Sequence, residues 1–319
     1  MVQKILHRGQ INTIILFLLL TLLVDRGLHI LLQKGLERIE TGQISGGRVN
    51  QARRTAAEVV ILGSSRAMHH YNPIILEKYL HRSVYNAGSD GMGLNYCLGL
   101  MDLLLKNYTP FLFIINVDGE SISIDNQRYL SRIKILAPFM DESDTVRQLI
   151  YDLDIYERIK YYMSKSYRFN GKALPIIKNM FKKDNTIKGF APLNKTANLN
   201  LLNKKQDEID QEKCLLSHYN MLMLRELIQH AKAAGSQVVM VNSPVWNEEF
   251  SGPPYYQRLL NYLELQANCQ NIPYISINQE NTPIFRNSAL FADKNHLNVV
   301  GAKMFSEILA HKLTTIISQ

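Results

Sequence analysis

Five short runs, most of them almost wholly apolar and each followed downstream by a helix-period segment, constrain this chain more than anything else in it. The runs are Val59-Val60-Ile61-Leu62, Ser83 to Asn86, Phe111 to Val117, Gln237 to Val241 and Pro273 to Ile277. Their helical successors are Pro73 to Leu80, Leu94 to Leu105, Ser217 to Ala234, Tyr255 to Ala267 and Val299 to Ile317. A strand that is apolar on both faces must be covered on both faces, which antiparallel hairpins do not require. Alternation of such strands with helices therefore predicts an α/β fold with a parallel sheet. Right-handed crossovers narrow this to a three-layer α/β/α sandwich with a flavodoxin-like five-stranded sheet.

One apolar segment stands outside that pattern. Ile11 to Val24 carries no charge, with Lys4 and Arg8 before it and Asp25 and Arg26 after it. As a helix, residues 9–25 reach about 26 Å, a little short of a hydrocarbon core, and the flanking arginines close the gap by snorkelling. No A-x-A-like cleavage site follows Val24, so the expectation is a retained single-pass anchor (1–27) in contact with the lipid bilayer. Basic residues are nearly balanced across the span, so charge does not set the orientation, and the remaining chain is expected on the extracytoplasmic side. Residues 28–57 are expected as a polar stalk, and 58–319 as the folded domain.

That domain is interrupted. Residues 119–213 are too long for a simple connection. Asp144 to Met163 has a helical pattern, and the stretch from Lys172 to Lys205 holds eight lysines against Asp184 as its one acidic residue. The expectation is a mobile or partner-facing insertion, or equally a solvated loop. It contributes to a net charge of +8, which with no zinc-finger spacing and no aromatic RNA-binding signature reads as a lysine-rich surface and not as a nucleic-acid site. The three cysteines, Cys97, Cys214 and Cys269, are too far apart in sequence for a zinc or redox motif, and no metal or organic cofactor is expected.

In a doubly wound sheet, ligands sit beyond the carboxyl ends of the strands. The first strand runs into Gly63-Ser64-Ser65-Arg66, the second into Asn86-Ala87-Gly88-Ser89-Asp90-Gly91, and the third ends at Asn116-Val117-Asp118-Gly119. After the last strand comes Asp293-Lys294-Asn295-His296. Nucleophilic attack by serine needs a base to take its proton and an anion to orient that base. Asp293 and His296, three apart in a loop before a helix, supply such a pair, and Ser65 is the hydroxyl. Of nine histidines, His296 alone follows a carboxylate at this spacing after the last strand. His69 and His70 lack a carboxylate at short range and are expected at surface or helix-start positions. The Rossmann fingerprint fails at Tyr96, where a small residue is required, and the alpha/beta-hydrolase elbow fails at Ala67.

Taken in order, Gly-x-Ser after the first strand, Asn-Ala-x-x-x-Gly after the second and Asp-x-x-His near the end resemble the sequence blocks of SGNH/GDSL hydrolases. The resemblance runs from Val59 to the last helix, the insertion apart. Ser64 stands where the first block usually has aspartate, as in membrane-anchored members that act in cell-envelope acylation. It implies Ser65 as nucleophile, His296 as base and Asp293 as its orienting acid, with the Ser65 and Gly91 backbone N–H groups in the oxyanion hole. The third block departs from the family's Gly-x-Asn-Asp: Asn116-Val117-Asp118-Gly119-Glu120 replaces it, and Asn116 is the candidate side-chain donor.

The expected activity is that of a serine esterase or O-acyltransferase on an acylated cell-envelope glycan or glycolipid, with a membrane-bound acyl-donor partner where transfer is the reaction. The alternatives are a degenerate domain that binds glycan or scaffolds an acylation complex, and a cytoplasm-facing lipid or thioester hydrolase.

Overall fold

The structure is a computed structural model that describes residues 8–123, 127–198, 215–246 and 254–317. Its centre is a five-stranded parallel sheet: β1 (Val59–Leu62), β2 (Val84–Asn86), β3 (Leu112–Asn116), β4 (Gln237–Asn242) and β5 (Tyr274–Ser276), in the order β2-β1-β3-β4-β5. The order reverses between β1 and β3, which opens a crevice at their carboxyl ends.

Period-two alternation divides the strand side chains between two cores. Val60, Leu62, Phe113, Ile115, Val238 and Met240 face one side, with the helices Leu94–Leu105, His218–Ala233 and Pro254–Cys269 among their cover. Val59, Ile61, Leu112, Ile114, Val239 and Val241 face the other, against Leu76 and the closing helix Val299–Ile317. Register keeps the sets aligned: Val60 pairs with Phe113, and Phe113 with Val238. The three-layer sandwich follows directly.

Two outer regions differ from the sequence reading. The N-terminal helix does not stop near Asp25 but continues from Arg8 to Arg38. Residues 28–57 are no free stalk: Leu36 and Ile39, with Val49 and Ala52 of the helix Gly47–Arg54, are buried in the larger core. A helical pitch explains this, since Leu32, Leu36 and Ile39 recur on one face amid the polar residues that gave the segment its stalk-like composition.

The insertion is likewise ordered over 127–198. A 3₁₀ segment, Arg132–Phe139, and the helices Asp144–Tyr151 and Ile155–Met163 lead to a helix Ala173–Asn179. Leu136, Phe139, Val146 and Ile150 pack beneath the helix Leu94–Leu105. Lysine density here marks the outer surface only, with Lys172 as an exception buried in the fold. Lys204, Lys205 and Cys214 lie outside the described residues.

Candidate active site

β1 runs into Gly63, which turns with φ +148°, and a Cβ there would come 2.9 Å from both the Ala67 and Asn116 Cβ atoms. Only glycine lets strand and helix approach this closely. The chain then enters the helix Ser65–His70 at once, so Ser65 occupies its first position, where the backbone N–H has no intrahelical acceptor. Ser65 lines a cavity with Gly91, Met92, Tyr129 and Asn220.

The loop ahead of the closing helix brings up the other partners. His296 Nε2 lies 2.8 Å from Ser65 Oγ, and His296 Nδ1 lies 2.8 Å from Asp293 Oδ1. A carboxylate accepts only, so Nδ1 carries a proton and Nε2 is left to accept from the Ser65 hydroxyl in the neutral imidazole. Asp293 also accepts from the Asn295 N–H at 3.0 Å, and Lys195 Nζ lies 3.5 Å from its second oxygen. Partial burial alone would raise the Asp293 pKa. The His296 contact, the Asn295 N–H and Lys195 outweigh that and bring it to about 2.

Gly91 borders the same cavity with φ +63°. A Cβ there would run into the Arg132 guanidinium, whose Nη1 donates to the Asp90 carbonyl at 2.7 Å. Gln43 brackets the same residue, donating to the Asp90 carbonyl at 2.6 Å and accepting from its N–H at 3.2 Å. The turn beside the cavity is thus held from the insertion on one side and from the N-terminal region on the other.

Asn116 is not among the residues that line this cavity. It is the last residue of β3 and is buried, and its Oδ1 accepts from the Tyr71 hydroxyl at 2.6 Å. The residue of that segment that does line the cavity is Asp118, in a buried ion pair with Arg66 whose Nε donates at 3.0 Å. Arg66 Nη1 donates further to the Ser243 carbonyl at 3.1 Å. The pair ties the helix that begins at Ser65 to the ends of β3 and β4. An amide side chain at the cavity comes instead from Asn220, whose Nδ2 donates to the Ser123 carbonyl at 3.1 Å.

His69 and His70 are not at the surface. Both are buried, and both rings stand edge-on to His296, with centroids 5.4 and 6.2 Å away. His70 Nε2 accepts from the Leu297 N–H at 3.0 Å, which leaves Nδ1 to donate to Ser243 Oγ at 2.9 Å. Full burial and neighbouring Arg66 push its pKa well below the usual histidine value, so it is a neutral brace for the loop that carries His296. His69 has two acceptors, the Ala191 carbonyl at 2.6 Å and Asp90 Oδ1 at 3.0 Å. Both contacts are hydrogen bonds only when both ring nitrogens donate, which favours the imidazolium. Burial opposes that charge, but Asp90 and the Ala191 carbonyl prevail and its pKa is raised. The carboxylate absent at short range in sequence is Asp90, twenty-one positions away.

Among the described residues, no group of three or more His, Cys, Asp or Glu side chains is placed to hold a metal ion. The 31-residue N-terminal helix is long and apolar enough to cross a membrane.

No protein-family model and no curated protein sequence matches this chain. Solved structures similar to it include a lipase/acylhydrolase from Enterococcus faecalis, at 11% identity and a TM-score of 0.37, covering 80% of this chain and 95% of that one. Another is a gut microbial diltiazem-metabolizing enzyme, at 12% identity and a TM-score of 0.35, covering 82% of this chain and 46% of that one. Likeness of this degree carries no weight for activity.

Proposed function

We propose that this chain is a membrane-anchored serine esterase or O-acyltransferase of SGNH/GDSL type, acting on an acylated cell-envelope glycan or glycolipid. The observation that carries the reading is the unbroken hydrogen-bonded chain Asp293–His296–Ser65, with both links at 2.8 Å, opening on a cavity at the carboxyl ends of the strands. Ser65 Oγ attacks the ester carbonyl as His296 Nε2 takes its proton, and ionised Asp293 stabilises the imidazolium through Nδ1–H. The Ser65 and Gly91 N–H groups receive the developing oxyanion, each such donor contributing about 3 kcal/mol in the transition state. Collapse breaks the ester C–O bond, His296 returns the proton to the leaving alcohol, and an acyl-Ser65 ester remains. Water or a sugar hydroxyl then gives its proton to His296 and attacks the acyl carbon; as the Ser65 ester bond breaks, His296 Nε2 returns that proton to Ser65 Oγ.

The substrate class rests on the resemblance and on the anchor. The helix Arg8–Arg38 would hold the domain at a membrane, with a membrane-bound acyl donor as partner if transfer is the reaction. A second reading, a degenerate domain that binds glycan or scaffolds an acylation complex, is favoured by Asn116 alone, since the one side chain expected to complete the oxyanion hole is not among those lining the cavity.

Labelling with a serine-reactive fluorophosphonate separates the two. Covalent labelling of the purified protein, abolished by both Ser65→Ala and His296→Ala, is the expected result. A folded wild-type protein that takes no label, and that also fails to hydrolyse a small acetyl ester, would remove the enzymatic reading and leave the scaffold.

A further inference from the structure

The helix Ile155–Met163 has an exposed apolar stripe that nothing in the fold explains. Ile155, Tyr156, Ile159, Tyr162 and Met163 are all exposed, Tyr162 to 80%. Their spacing of i, i+1, i+4, i+7 and i+8 puts them on one face about 120° wide. The opposite face is the one anchored in the protein: Tyr161 is buried against Tyr167, and Glu157 pairs with Lys134. Arg158 and Lys160 flank the stripe. A helix that turns its apolar side outward, with tyrosines in it and cations along its edges, has the pattern of a segment lying in a membrane interface.

The position of this helix selects the same occupant. It runs into Ser164-Lys165-Ser166, and all three residues grip Asp25. The Ser164 and Ser166 hydroxyls donate to its carboxylate at 2.5 and 2.6 Å, and the Lys165 N–H at 3.0 Å. Asp25 is the first acidic residue after the apolar run, and from Ile11 to Val24 that run is exposed throughout. The stripe is therefore fixed at the point where the N-terminal helix leaves its apolar segment.

We infer that the helix Ile155–Met163 is a second membrane contact, its apolar stripe seated in the headgroup zone of the bilayer that the N-terminal helix crosses. The inference rests on the reading of that helix as an anchor. A five-residue stripe alone would bind lipid weakly, but the tether at Asp25 makes its insertion an intramolecular step at high effective concentration. Two contacts, unlike a single tether, fix the tilt of the domain and hence the height of the Ser65 cavity above the lipid.

The test uses the full chain in vesicles of phosphatidylethanolamine and phosphatidylglycerol, with Cys214 and Cys269 replaced by Ser. Nitroxide labels go on Ile159→Cys and Tyr162→Cys, on Leu19→Cys within the anchor, and on Lys312→Cys, an exposed position of the closing helix. The ratio of oxygen to nickel-chelate accessibility should be several-fold higher at 159 and 162 than at 312, and approach that at 19. Ratios at 159 and 162 equal to that at 312, with 19 still in the bilayer, would overturn the second contact while the anchor stands. Protection of those sites only in native membranes would overturn it equally, in favour of a protein partner. A water-exposed Leu19 label would bring down the anchor reading and this one together.

Discussion

The site contains two histidine–carboxylate pairs, side by side, and they do different things. In His296–Asp293 one nitrogen faces a carboxylate and the other a hydroxyl, a group that can give as well as take a proton. In His69–Asp90 one nitrogen faces a carboxylate and the other a backbone carbonyl, which only accepts. The first ring has room for a proton to move; the second is fully occupied by its two donations. Residue type and a nearby acid do not make a histidine a base. The identity of the atom at the second nitrogen does.

The largest effect should come from breaking the mobile pair. Asp293→Asn puts an amide where His296 needs an acceptor and favours the wrong tautomer, and fluorophosphonate labelling should slow about a thousandfold or more without loss of fold. A rate within tenfold of wild type would mean that Asp293 is not the orienting acid. Because the Asp293 pKa is held at about 2, its ionisation should not shape the labelling profile anywhere above pH 4, and any acid limb there belongs to another group.

Next in size is Asp118→Asn. Arg66 and Asp118 are both buried, and removal of one partner strands a charge, a loss of about 3–5 kcal/mol of stability. Denaturant unfolding measures it. A loss below about 1 kcal/mol would show that water reaches Arg66 or that its Ser243 carbonyl bond suffices.

The locked pair should respond more gently. Asp90→Asn leaves His69 one neutral acceptor in place of an anion, so labelling should fall about tenfold or less as the Gly91 turn loosens. The clearer signature is in stability against pH. A raised His69 pKa gives a contribution present in full below the unfolded value of 6.5 and lost as pH rises through the folded value. On the acid side, the Asp90 pKa is lowered, chiefly by its bond to His69, and its contribution is lost as pH falls through that depressed value, below 3.8. Melting temperatures of wild type and Asp90→Asn, followed from pH 5 to 9, should converge as pH rises. Parallel curves would show that His69 is not charged.

The smallest effect should come from Asn116→Ala. Asn116 does not line the cavity, and its Oδ1 accepts from Tyr71, so labelling should stay within about threefold of wild type while stability drops by about 1 kcal/mol from the lost Tyr71 bond. A fall of a hundredfold or more would restore Asn116 to the oxyanion hole.

Much of this was legible in the sequence because it was local or periodic. Strand runs such as Val59 to Leu62 are continuous, and helices such as Leu94–Leu105 and Val299–Ile317 carry their own spacing. Ser65, Gly91, Asp293 and His296 follow from where strands end, because topology alone sends those ends to one crevice. The reading of 119–213 as a mobile, partner-facing or solvated segment gave way over 127–198 to packed helices because composition reports the outer face of Arg132–Phe139 and Asp144–Tyr151, while Leu136, Phe139 and Ile150 are buried on the inner one. Likewise the polar residues of 28–57 concealed Leu36, Ile39, Val49 and Ala52.

The sequence by itself determined the sheet, the order of the chemical groups along it and the apolar helix at the start, because each depends on residues near one another in the chain or on strand order. Only the tertiary structure decided which partner each side chain found. Asp90 meets His69, Tyr71 takes the oxygen of Asn116, and Asp118 meets Arg66 across fifty-two positions. Such pairings depend on distances of about 3 Å between groups on separate elements, and a linear pattern does not encode distances between elements.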